Sequence, residues 1–137
     1  MSRALTKAAL GLVGVPFRLH GRDPETGLDC VGLVAEALRR AGSLPDVPEG
    51  YSLRSVSVAR FLKCAEASGL KRCSKGGQVL LCMVSPVQPH LLIAVPGGFV
   101  HAHASLGRVT LLPAPLPWPV SLQWRLGRLG RLARKGD

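Results

Sequence analysis

The chain is short of aromatic residues, short of acids and without closely paired cysteines, and each shortage removes a class of protein. Two Trp, one Tyr and three Phe among 137 residues leave nucleic-acid stacking little support beyond Trp118 and Trp124, and they require an aliphatic core. Eight acids against 18 Lys and Arg give a formal charge of +10, so an acidic partner or surface is expected, without a choice among nucleic acid, anionic lipid, cell wall or protein. Cys30, Cys64, Cys73 and Cys82 never take zinc-ribbon or C-x-x-C spacing. A single domain of this length buries enough core to do without a disulfide framework, so all four read as reduced thiols, Cys64 and Cys82 in the core. A Cys73–Cys82 pairing is open to adjacent strands but required by nothing. No apolar run is long enough to span a bilayer. Arg3, Lys7 and the apolar residues 8–15 faintly resemble a signal peptide, but Pro16-Phe17-Arg18 stands where a small-residue cleavage site belongs. Synthesis in the cytoplasm without a signal is the expectation.

What the chain does have is organised around Gly27-Leu28-Asp29-Cys30-Val31-Gly32-Leu33-Val34. Asp29 is a helix cap, Val31, Val34, Leu38 and Ala41 recur at helical spacing, Arg39 and Arg40 suit the last turn, and Gly42 is a stop. Cys30 then falls in the first turn, where free N–H groups and the helix dipole favour a thiolate and can lower a thiol pKa from about 8.5 to roughly 3.5–7.5. Gly32 lets a substrate or a neighbouring strand approach. A buried structural cysteine reads these residues equally well.

Ahead of this helix, Leu5, Ala8, Ala9, Leu12 and Val13 form a helical stripe ended by Gly14 and Pro16, and residues 17–28 form a loop. Beyond it lies an irregular stretch with Pro45, Pro48 and Gly50. A helix over residues 57–67 follows, with Val58, Phe61, Leu62 and Ala65 inward and Gly69 as its stop. The period then changes to strands over 78–84, 91–95, 99–104, 109–112 and 120–124, with Pro96-Gly97-Gly98 as a hairpin signal. Helices followed by an antiparallel meander indicate an α+β domain, residues 1–124. In residues 125–137 Arg125, Arg128, Arg131 and Arg134 recur every third position, a spacing that drifts around a helix and marks a basic Arg-Leu-Gly arm, exposed until it meets a partner.

A nucleophilic Cys30 needs a base, and the histidines are His20, His90, His101 and His103. His90 and His101 lie on strands joined by the hairpin, which can set them side by side. His101 and His103 share a strand face, so spacing alone leaves open which one orients His90. A zinc site from Cys30, His90, His101 and His20 is a competing reading.

Gly14-Val15-Pro16-Phe17-Arg18 with Gly21, Leu28-Asp29-Cys30-Val31-Gly32-Leu33-Val34, Gln78-Val79-Leu80, His90-Leu91-Leu92-Ile93 and Phe99-Val100-His101-Ala102 together resemble the NlpC-type cell-wall peptidases, which are papain-like cysteine hydrolases. The resemblance runs from Gly14 to about Leu112. It implies a papain-like fold, N-terminal helices on an antiparallel sheet of about five strands. It also implies Cys30 as nucleophile, His90 as base and His101 as third residue, with Asp29, Phe17, His20 and His103 near the substrate and no metal or organic cofactor. The implied substrate is a peptidoglycan stem peptide, cut between D-glutamate and a diamino acid, and the implied oxyanion donor is the Cys30 N–H. Phe17 and Val31 stand where many members have Tyr and Ser. Gly77-Gln78 replaces Gly-Asp, a change expected to alter only a turn, and Leu91-Leu92 replaces Val-Gly, so that strand must pack differently. The short form resembles peptidases carried on phage or gene-transfer-particle tails. That implies a particle tail acting in the periplasm or cell wall, with the basic arm on a tail hub or baseplate. The alternative is a tail-assembly component whose active site is vestigial or cryptic.

Overall fold

The computed structural model describes residues 1–46, 58–86 and 88–127, and of residues 58–62 the backbone only. Three helices, α1 (Arg3–Gly11), α2 (Cys30–Arg40) and α3 (Val58–Ala67), accompany a six-stranded antiparallel sheet. Its strands are β3 (Leu70–Arg72), β4 (Val79–Ser85), β5 (Gln88–Val95), β6 (Gly98–His103), β7 (Arg108–Pro113) and β8 (Val120–Leu126). The order β3-β8-β4-β5-β6-β7 corrects the plain meander. Strands β4 to β7 do follow one another, but β8 returns past them to pair with β4 and with β3. The three residues of β3 carry no alternation long enough to register in the sequence.

Each helix begins and ends for local reasons. Ser2 caps α1, its hydroxyl accepting from the Leu5 N–H at 3.1 Å, and Leu5, Ala8, Ala9 and Leu12 are buried. Val13 is 43% exposed because the helix has already ended, so the helical period no longer places it. Asp29 caps α2, and Arg39 and Arg40 in its last turn both pair with Glu36. Within α3, Ala65 is inward as expected and Cys64 is only half-buried; the Phe61 and Leu62 side chains lie outside the described residues. None of the four cysteines is in a disulfide.

Helices α1 and α2 pack on one face of the sheet, where Leu33, Leu38, Leu81, Ile93 and Val100 close the main core. Gln78 joins the layers and does more than alter a turn. Buried at 2% exposure, it accepts from the Ser2 N–H at 2.9 Å and donates to Thr6 Oγ1 at 2.8 Å and to the Ala94 carbonyl at 3.2 Å. Such bonds contribute about 1 kcal/mol each and leave costly orphans when one partner is lost. The other face carries a smaller cluster of Leu80, Cys82 and Leu92, with Phe99, Leu112, Leu116 and Trp118 against it. Leu92 therefore fills a second apolar layer. Arg125 and Leu126 belong to β8, opposite Lys71 and Leu70, and residues 128–137 of the basic arm lie outside the described residues, as does the 47–57 stretch.

Candidate active site

The loop expected over residues 17–28 contains a two-residue ladder, β1 (Arg22–Asp23) on β2 (Gly27–Leu28), and it is bolted to the start of α2 by one carboxylate. Asp29 accepts from the Gly32 N–H at 2.8 Å, from the His20 N–H at 2.9 Å and from Arg22 Nη1 at 3.1 Å. It is fully buried, so it holds the scaffold and offers no surface to a substrate. His20 also departs from the expectation: it sits at φ 61°, exposed, and lies outside the pocket that holds Cys30. A Cβ on Gly32 would stand 2.0 Å from the Gly21 carbonyl oxygen, so what approaches this glycine is the loop backbone.

Cys30 sits where two strands part. The β5–β6 pairing runs from Val95↔Gly98 through Ala94↔Phe99 to Ile93↔Val100 and stops, although β5 begins at Gln88 and β6 continues to His103. The Ala94 N–H donates to the Gln78 carbonyl on the β4 side, so alternation turns the Leu91 N–H toward the opening. There it faces the Cys30 sulfur, together with the N–H groups of Val31 and of Cys30 itself, and all three favour the anion. His90 Nε2 meets His101 Nδ1 at 3.0 Å beside the same opening. The tautomers decide which ring donates; in the pair of tautomers with the proton on His90 Nε2 and none on His101 Nδ1, His90 Nδ1 carries a lone pair and can act as a base. Cys30, His90, His101, His103 and Phe17 line one pocket of about 170 Å³, with Val84, Gln88 and Trp118 among its other walls.

Of the two readings of Cys30, burial favours the protonated thiol at rest. Burial pushes the Cys30 thiol up to about 12, and the Asp29 carboxylate adds to the rise, against the opposing pull of the N–H groups. Desolvation outweighs the helix start. Burial first, and then His101 and His103, lower His90 to about 4; burial and His103 lower His101 to about 4. At neutral pH the resting set is thiol and neutral imidazoles. Among the described residues no group of three or more His, Cys, Asp or Glu side chains is arranged to hold a metal ion, which leaves the zinc reading without a site there. His103 Nδ1 accepts from the Leu106 N–H at 3.1 Å and so is already engaged, while His101 faces His90. Trp118 escaped the sequence reading as a site residue; its one signal was a rare aromatic shortly after the histidine strands.

No family model matches the chain, and no curated protein matches it significantly. Among solved structures it is similar to a Staphylococcus aureus protein described as similar to lipoprotein, NLP/P60 family, with a TM-score of 0.58 and 20% identity over 91% of this chain. The chain spans 41% of that protein. The likeness carries the fold, an α+β, papain-like arrangement.

Proposed function

We propose that the chain is a cysteine endopeptidase acting on peptidoglycan stem peptides, at the bond between D-glutamate and a diamino acid. The observation that carries this reading is the shared pocket of Cys30 and the bonded His90–His101 pair, at the splayed end of β5 and β6 in an NlpC/P60-type fold. In the reaction, His90 Nδ1 takes the Cys30 proton as the sulfur attacks the carbonyl carbon, so the ion pair forms only as the bond does. The Cys30 backbone N–H stabilises the oxyanion, and His101 Nδ1 holds the His90 imidazolium in line. His90 then protonates the leaving amine. Water adds to the thioester with His90 again as base, releasing the acid and restoring the thiol.

The test is incubation with an L-alanyl-γ-D-glutamyl-diaminopimelate peptide and separation of the products. Cleavage after D-glutamate, abolished by Cys30→Ala in a chain that still folds, is the expected result; an equally active Cys30→Ala chain would sink the reading. A particle-tail location, with delivery to the periplasm or wall and the basic residues that follow β8 on a hub or baseplate, belongs to the same proposal. A protonated thiol only 4% exposed favours one second reading, a tail-assembly component whose site stays cryptic in the isolated chain. On that reading particles assemble with or without the thiol but fail when the basic arm is deleted.

A further inference from the structure

The connection between β7 and β8, residues 114–119, contains no titratable side chain, yet it folds over the sheet face on which His90 stands. Register fixes that face: His90 is opposite Cys82 and Leu92 is opposite Leu80, so all four side chains share it. Leu116 and Trp118 from the connection pack on the Leu80, Cys82 and Leu92 cluster. Trp118 is where this cluster meets the site. Its ring centroid lies 5.8 Å from that of His90, with the planes at 85°, and 6.2 Å from that of His101, at 59°. One indole thus stands against both members of the imidazole pair, and it lines the pocket that holds Cys30.

We infer that Trp118 is a positioning residue for the His90–His101 pair, walling it from water and fixing the ring planes in which His90 Nε2 meets His101 Nδ1. The inference rests on the hydrolase reading above, which needs His90 neutral with its Nδ1 free. An imidazole turns about a broad χ2 well, so a 3.0 Å bond between two such rings needs neighbours that limit both. T-shaped contacts supply that limit. The described titratable groups facing His90 are Cys82 from β4, His101 and His103 from β6 and Cys30 from α2. None comes from 114–119, so removing the indole takes away cover and leaves every charge in place. Two effects oppose each other in sign. Lost cover raises the His90 pKa, whereas a lost indole face lowers it by withdrawing a cation–π partner from the imidazolium. Burial heads the causes that lower His90, and the indole is part of what covers the ring, so the expected direction is upward.

The experiment is a ¹⁵N-histidine NMR titration of the full chain, of Trp118→Ala and of Trp118→Phe, with His90 assigned through His90→Gln. The His90 midpoint is expected to move from about 4 toward 6.5 in Trp118→Ala, by about one pH unit or more. The acid limb of peptide hydrolysis moves with it. Trp118→Phe, which keeps a ring with less cover, shifts in the same direction by less, retains most of the activity, and decides the matter alone should the alanine variant not fold. A midpoint that stays or falls overturns the inference. Absence of hydrolysis from the native chain counts against the hydrolase reading, while the titration still decides the role of Trp118.

Discussion

Two buried thiols flank His90, and they are not equivalent. Cys82 stands directly across the β4–β5 ladder from it, fully buried against Leu80 and Leu92, and burial alone pushes its pKa up to about 11. Cys30 comes from another layer of the fold, at the first turn of α2, and is held up at about 12 against three N–H groups that favour its anion. Only Cys30 lines the pocket. A neighbouring histidine is therefore not what separates a nucleophile from a core residue. On the hydrolase reading, the separation comes from backbone donors that can hold the anion once it forms and from a place on the wall of the pocket.

The sharpest way to break this contrast is to delete each thiol in turn. Cys30→Ala should lower peptide hydrolysis by about a thousandfold or more, to background, whereas Cys82→Ala should leave the rate within a few-fold and cost stability instead, about 1 kcal/mol in a urea melt. Next in size is the base. On the hydrolase reading His90→Gln removes the base that takes the Cys30 proton, and a loss of about 10²–10⁴ in kcat/KM is expected, while Cys82 reactivity in the unfolded chain stays the same. His101→Asn keeps an acceptor for His90 Nε2 and should cost far less than His101→Ala in the same assay.

The smallest effect is on stability against pH. Folded His90 and His101 titrate near 4, below the ordinary 6.5, so between these values the unfolded chain binds more protons. Their contribution is complete above pH 6.5 and is lost as pH falls toward 4. A double His90→Gln, His101→Gln chain should flatten that decline in urea melts at pH 4 to 7. Both thiols carry the opposite sign: stability should fall as pH rises past their ordinary value of 9.0.

What the sequence made legible was local. The cap Asp29, the turn at Pro96-Gly97 with Gly97 at φ 82° and the stop at Gly42 are each set by a few neighbouring residues, and they placed Cys30, His90 and His101 on the right elements. What it hid depends on distant partners. The short β3 exists because β8 returns to it, Gln78 is an anchor because α1 lies over it, and Asp29 is closed to substrate because Arg22 and the His20 backbone converge on it. The rise in the Cys30 pKa is hidden for the same reason. A helix start is visible in sequence, but the core that desolvates the sulfur is not. Trp118 reaches the histidines only through the packing of Leu116 and Leu92.

The most direct measurement is alkylation of the native chain with iodoacetamide across pH 6 to 10, with Cys30 and Cys82 followed separately by peptide mapping in the wild-type chain and in His90→Ala. The account predicts that Cys30 is labelled well ahead of Cys82, that its rate keeps rising with pH and shows no plateau below about 8.5, and that His90→Ala slows it. Equal labelling of the two thiols, or Cys30 labelling indifferent to His90, would contradict it.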